Sequence, residues 1–258
     1  MRGLAKPSFE SEACTGQYEP GQDSKQNRGD GFMGSRQAVS RTSIGTIAAL
    51  MLLVAPISAM DADETATYQL ELDITWSAET NPLEFPLGAH LSSVLAATHH
   101  GRYTMFRDGD TASSGLELVA ENGRTSIMKA EMAEAQRRDR LDAIIEAGAL
   151  KKVPGQVTMT ITAKKSHPLL SFVTMIAPSP DWFTGAADVS LIQDDKWIEQ
   201  QEITLWAWDS GTDSGESYTA QNLDTQPRQS IRLVTTPHFL GEAGLVPFGR
   251  AMLKRVRE

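Results

Sequence analysis

Tyr68-Gln-Leu-Glu-Leu-Asp-Ile-Thr-Trp76 alternates apolar and polar residues without a break, which puts Tyr68, Leu70, Leu72, Ile74 and Trp76 on one side. A period of two marks a strand with one face buried and the other in water. Val157-Thr-Met-Thr-Ile-Thr-Ala163 repeats the pattern with threonines outward. Leu169-Leu-Ser-Phe-Val-Thr-Met-Ile176 is almost continuously apolar, as expected of a strand covered on both faces. Glu202-Ile-Thr-Leu-Trp-Ala-Trp208 and Ile231-Arg-Leu-Val-Thr235 add two more, and residues 92–97, 103–106 and 188–192 are shorter candidates. Short strands separated by turn signals predict a mainly β fold, an antiparallel β-sandwich. One helical insertion interrupts it. Residues 126–147 are rich in helix formers, with Gly148 placed as a C-terminal cap, although the polar run Gln136-Arg-Arg-Asp-Arg140 is either a solvated face or a break between two short helices.

The first 59 residues read differently from the rest. Residues 1–32 are rich in Gly, Ser, Gln and charge with no apolar period, which predicts disorder or an over-long gene start. Met33-Gly-Ser-Arg-Gln-Ala-Val-Ser-Arg41 is basic, the stretch from Ile44 is uncharged and mostly apolar, and Ile57-Ser-Ala59 ends it with small residues. That order predicts a signal peptide over residues 33–59, and hence a protein secreted, periplasmic or held at the cell surface. The competing reading is a membrane anchor, but a bilayer span needs about 20 apolar residues, and this run is shorter with Pro56 near its end. No transmembrane segment is expected in the mature chain. Residues 60–67 are read as a linker and 68–258 as one domain.

Cleavage after Ala59 removes Cys14, the only cysteine of the 258-residue chain, so the exported part must be stabilised by its hydrophobic core. Beyond residue 59 the chain carries 18 basic and 28 acidic residues. An acidic surface suits neither a phosphate backbone nor non-specific nucleic-acid binding, so no nucleic-acid partner is expected.

Chemistry concentrates in two loops that follow apolar runs. Pro178-Ser-Pro-Asp-Trp182 carries Asp181; Trp206-Ala-Trp-Asp-Ser-Gly-Thr-Asp-Ser-Gly215 carries Asp209 and Asp213 on either side of Gly211. Carboxylates crowded together raise one another's pKa unless a cation joins them, and hard oxygen donors on loops suit calcium. The spacing is not that of an EF-hand, whose twelfth position is a bidentate Glu; here it is Ala220. Asp and Gly in such a loop also suit an ordinary turn. His99 and His100 are adjacent on a strand and so point to opposite faces, a poor arrangement for one ion. Ser214 lacks the Gly-x-Ser-x-Gly elbow of a serine nucleophile. Trp206 and Trp208 share one face, with core packing as the default role. No catalytic residue and no enzymatic activity are expected.

Several of these stretches occur in an order that resembles the spondin domain of animal matrix proteins. The landmarks are Trp76-Ser77, Thr80-Asn-Pro82, Pro86, Ala97-Thr-His99, Leu170-Ser-Phe-Val-Thr-Met175, Pro178-Ser-Pro-Asp-Trp182, Trp208-Asp-Ser-Gly-Thr-Asp-Ser-Gly215, Tyr218 and the segment from Pro227 to Arg232. The resemblance spans about Tyr68 to Pro237. It implies an eight-stranded antiparallel sandwich, similar to calcium- and phospholipid-binding sandwiches, with a calcium ion at one end. Its ligands, carried over by motif, would be Asp181, Asp209 and Asp213. The cysteines of the animal domain are missing here. The function this implies is calcium-dependent recognition or adhesion at a cell surface or matrix, with an extracellular protein, a glycan or a membrane-surface ligand as partner. The alternatives are an envelope-associated structural protein whose calcium only stiffens loops, and a metal-dependent hydrolase.

Overall fold

The structure, a computed structural model, describes residues 64–257. The N-terminal segment, the stretch at 33–59 expected to be a signal peptide and the first linker residues lie outside the described residues. Eight strands carry the fold: β1 (Thr65–Ile74), β2 (Val94–His99), β3 (Leu141–Ala147), β4 (Gly155–Lys164), β5 (Leu169–Ala177), β6 (Trp182–Ser190), β7 (Gln200–Asp209) and β8 (Gly249–Val256). They pair antiparallel in the order β3-β2-β5-β6-β7-β8-β1-β4. The two ends of this path approach each other, and Lys164 of β4 meets Asp142 of β3 at 2.8 Å. The sheet is therefore nearly closed, folded over on itself as a sandwich.

The fold is made at β7. Its first half, Gln200–Leu205, pairs with β8; its second half, Trp206–Asp209, pairs with β6. One strand thus belongs to both faces of the sandwich. Between them lies a core of Tyr68, Leu70, Leu72, Ile74, Trp76, Ile161, Leu170, Phe172, Trp182, Leu205 and Leu253. The alternation in β1 and β4 has the predicted cause: the residues on the inner side are buried and the threonines of β4 face water. β1 begins at Thr65, three residues ahead of the alternation that reveals it.

A second apolar layer explains the continuous hydrophobicity of β5. Its outward residues, with Leu95, Ala97 and Phe183, are covered by α1 (Ser114–Asn122) and α2 (Ser126–Arg137) through Leu116, Val119, Met128 and Met132. The predicted helix over 126–147 is corrected here. α2 ends at Arg137, Asp139 turns the chain with φ of +54°, and Leu141–Ala147 is strand β3, paired with β2. Adjacent Ile144 and Ile145 account for this. On a strand they point to opposite faces, and both faces here are apolar: Ile144 packs under the helices and Ile145 against the sandwich core. Gly148 caps no helix. Residues 103–106 form a loop rather than a strand, with Met105 and Phe106 buried beside the helices.

The two helices are tied at one corner. Ser113 Oγ accepts from the Leu116 N–H at 3.1 Å, capping α1, and donates to Glu131 of α2 at 2.7 Å. The other Glu131 oxygen accepts from the Gly115 N–H at 2.9 Å. Ser113→Ala is expected to lower unfolding free energy by about 1 kcal/mol, and by no more than about 2. Urea denaturation checks this; an unchanged midpoint would show that Glu131 alone satisfies the helix start.

Candidate functional site

The two aspartate loops meet because β6 and β7 are paired. β7 ends at Asp209, whose partner across the ladder is Trp182, so Asp181 sits beside the turn that follows Asp209. That turn is fixed by Gly211. Its φ is +74°, and a Cβ there would lie 2.4 Å from the Gln229 carbonyl oxygen. The Gly211 N–H donates to Asp209 Oδ1 at 2.8 Å, a local turn of the kind Asp favours.

Asp181 is completely buried. Its Oδ2 gathers the turn: Ser210 Oγ donates at 3.0 Å, the Thr212 N–H at 2.8 Å and the Asp213 N–H at 3.2 Å. Its Oδ1 is buried with no hydrogen-bond partner. Burial, and after it the charge of Asp209, pushes the Asp181 carboxyl up to about 6, with the three hydrogen bonds pulling the other way. A buried acceptor left unpaired costs about 1–3 kcal/mol, so this oxygen is the least satisfied atom of the site.

Asp213 holds the next stretch of loop. Its Oδ1 accepts from the Gly215 N–H at 2.7 Å and its Oδ2 from the Leu223 N–H at 2.8 Å. Asp209 Oδ2 pairs with Arg232 at 3.0 Å. Asp209 and Asp213 line one cleft of about 570 Å³, with Trp182, Glu216, Arg232 and His238. The three aspartates are thus at one end of the sandwich. Among the described residues, no three His, Cys, Asp or Glu side chains are gathered tightly enough to form a metal shell as they stand. Even so, the donor chemistry fits a hard cation. All three groups offer oxygen, each carboxylate oxygen keeps lone pairs beyond the N–H it accepts, and Asp181 Oδ1 has no other partner.

Sequence reasoning missed Ser210 and Thr212, which hold Asp181, and Arg232, which neutralises part of the charge on Asp209. The Ser-Gly-Thr between the two aspartates was the available signal: small hydrogen-bonding residues in a turn that must wrap a carboxylate. Trp182 is buried in the core, but Trp206 and Trp208 are only half-buried and face outward.

No catalytic arrangement emerges around the histidines. His99 Nε2 lies 2.8 Å from Ser171 Oγ, with both residues fully buried, and Asp188 Oδ1 is 3.8 Å from that same nitrogen. A hydrolytic triad needs a reachable serine, and an acid on the opposite ring nitrogen. His100 points away from His99 and stacks on His167, ring centres 5.1 Å apart.

Comparison with known proteins converges on one family. Residues 66–244 match the family model described as Spondin_N. The chain is 31% identical over 214 residues to Spondin-2 of Homo sapiens, covering 78% of this chain and 65% of that protein. It is 33% identical over 182 residues to Spondin-2 of Rattus norvegicus, covering 69% of this chain and 55% of that protein. Against Spondin-1 of Gallus gallus the identity is 32% over 209 residues, 74% of this chain but 26% of that protein. The chain therefore spans less than two thirds of the relatives it matches.

Proposed function

The chain belongs to the Spondin_N family, and from that premise we propose that it is an exported recognition or adhesion module of the cell surface or matrix whose aspartate loops bind calcium. The observation that carries the calcium reading is the buried, unpartnered Oδ1 of Asp181, set beside Asp209 and joined through Oδ2 to the turn that bears Asp213. A divalent cation there would satisfy that oxygen and offset the repulsion between Asp181 and Asp209. Backbone carbonyls and water would complete six to eight oxygens around calcium. The fold, not chemistry on a substrate, is then what the cation serves: it sets the loops at the end of the sandwich as a surface for a partner. The partner classes consistent with this reading are an extracellular protein, a glycan or a membrane-surface ligand. Among the described residues no helix is long and apolar enough to cross a membrane.

A second reading has its own support. Asp181 ties Ser210, Thr212 and Asp213 together by direct hydrogen bonds, so on this reading calcium would only stiffen a turn those bonds define. Partner capture with and without chelator separates the two readings, since only the first makes recognition depend on the ion.

Calcium binding itself is tested by thermal denaturation. A ligand that binds only the folded state adds about 2.7 kcal/mol at a hundredfold excess over its dissociation constant. For a domain of this size that raises the melting temperature by roughly 5–10 °C. Chelator should reverse the rise, and Asp209→Ala and Asp213→Ala should each abolish it. Asp195→Ala lies in the turn between the short strands Ile192–Gln193 and Lys196–Trp197. It should keep the full calcium response, even though φ of +59° at that position lowers its baseline. Melting curves indifferent to millimolar calcium, with no heat of binding in calorimetry, would return the aspartates to the role of turn residues.

A further inference from the structure

The helices cover the outer face of β5 and part of β6 and stop there. Past that limit the outer face of the β6–β7 pair carries a slot of about 270 Å³. Its floor is small, Gly185 and Ala187 of β6; its wall is Trp206 and Trp208 of β7, which alternate onto one side of the strand. Trp206 is half-buried on this uncovered part of the sheet face, whereas Trp208 is partly packed against the helix-side cluster. Trp208 is held rigidly, stacked near Phe183 and edge-on to Phe106 at 5.6 Å.

The rim is polar and built. Across the β5–β6 ladder Leu170 faces Val189 and Phe172 faces Ala186, so Ser171 stands opposite two residues and β6 bulges. The bulge turns Asp188 out of the sheet with φ of +57°. Aspartate reaches that region more readily than most residues, and its surroundings hold it there. Here the Asp188 N–H donates to the buried Ser171 Oγ at 2.9 Å, and that hydroxyl in turn rests against buried His99. The Asp188 carboxylate meets Arg107 at 3.6 Å across the mouth of the slot, and Arg107 also lies 4.0 Å from Asp110.

We propose that this slot binds a single pyranose ring of a surface or matrix glycan. The slot is smaller than a drug-sized pocket of about 300–1,000 Å³, which suits one ring. The negative faces of the indoles attract the weakly positive C–H edges of a sugar's apolar side. Asp108, Asp188 and Arg107 line the slot and together offer acceptors and donors to its hydroxyls. A quaternary ammonium would also stack on tryptophan, but it has no use for the Arg107 donors, and its binding is an outcome the test below excludes. The inference rests on the recognition role proposed above and names one class of partner, at a site separate from the aspartates.

The test uses the full chain and four probes: the methyl glycosides of glucose, galactose, mannose and N-acetylglucosamine. Saturation-transfer NMR should show contact to ring C–H protons for at least one of them, saturating in the millimolar range, with a matching change in tryptophan emission. Trp206→Ala should weaken that binding by about tenfold or more. Trp206→Phe should restore part of it, and Asp188→Asn, which tolerates the same backbone angle, should weaken it without lowering the melting temperature. Chelator should leave it unchanged. No transfer to any of the four, transfer that survives Trp206→Ala, or saturable binding of tetramethylammonium in their place would each overturn the assignment. Because chelator and glycoside are separate arms, loss of the sugar reading leaves the calcium response standing as its own result.

Discussion

A chain truncated after Phe248 is expected to be unfolded. The ten residues removed contain β8, which lies between β7 and β1 and pairs with both. Its register with β1 runs from Ile74–Gly249 to Thr67–Val256, and with β7 from Leu205–Gly249 to Gln200–Lys254. Losing it would strip the ladder from one edge of each neighbour and open the core where Ala251 and Leu253 are buried. Unpaired buried backbone groups are among the costliest defects a fold can carry, and marginal stability of about 5–15 kcal/mol leaves little to absorb them. Far-ultraviolet circular dichroism should lose the sheet signal and thermal melts should lose their cooperative step. The point variant Leu253→Ala probes the same strand more gently, with an expected loss of about 2–5 kcal/mol. A truncated chain that still melts cooperatively would contradict the central position of β8.

The second large effect concerns Asp181. Asp181→Asn and Asp181→Ala should part company. Asparagine keeps an acceptor for Ser210, Thr212 and Asp213 and removes the charge; alanine leaves two buried N–H groups without a partner, while Ser210 Oγ keeps its bond to Thr212 Oγ1. At about 1–3 kcal/mol for each unsatisfied group, the alanine variant should be less stable than the asparagine variant by about 2 kcal/mol or more. Both should lose the calcium response. The wild-type carboxyl also carries a pH signature. Its pKa in the folded state is raised from the ordinary 3.8 to about 6, chiefly by burial. The folded protein therefore holds that proton more tightly than the unfolded chain. Its contribution to stability is fully present below pH 3.8 and is lost as pH rises through about 6, a change of about 3 kcal/mol. Measured without calcium, the stability of wild type relative to Asp181→Asn should fall across that window and stay flat above it. Saturating calcium at pH 7 should recover the difference in the wild type alone. A flat difference across the window would mean that Asp181 titrates normally.

The strands that were legible from sequence are those with one apolar face and one watery one. β1 and β4 alternate because the sandwich buries only one side of each. β8 left no such trace: its buried side offers only Gly249, Ala251 and Leu253, and its outward side mixes Arg250, Met252 and Lys254. Its strand character comes from having partners on both sides, which no local pattern encodes. Leu141–Ala147 was misread for a related reason. Helix propensity is local and weak, whereas pairing with β2 uses both faces of the segment at once. In the candidate site, the meeting of Asp181, Asp209 and Asp213 at one end followed from loops joining apolar runs. The inward grip of Ser210 and Thr212 on Asp181 depends on turn geometry set by Gly211 and the distant Gln229 carbonyl, and could not be read from spacing. The outward exposure of Trp206 and Trp208 depends on where the helical layer ends, which is likewise non-local.

The register of β1 against β8 also decides how this domain is presented. Thr67 lies opposite Val256, so the chain enters and leaves the sandwich side by side at one pole. The aspartate cleft follows Asp209 at the far end of β7, level with the Ile74–Gly249 pole, roughly 25 Å away along the strands. A partner that reaches the aspartate loops therefore meets the pole opposite Thr67 and Val256, and need not pass the ends of the described chain.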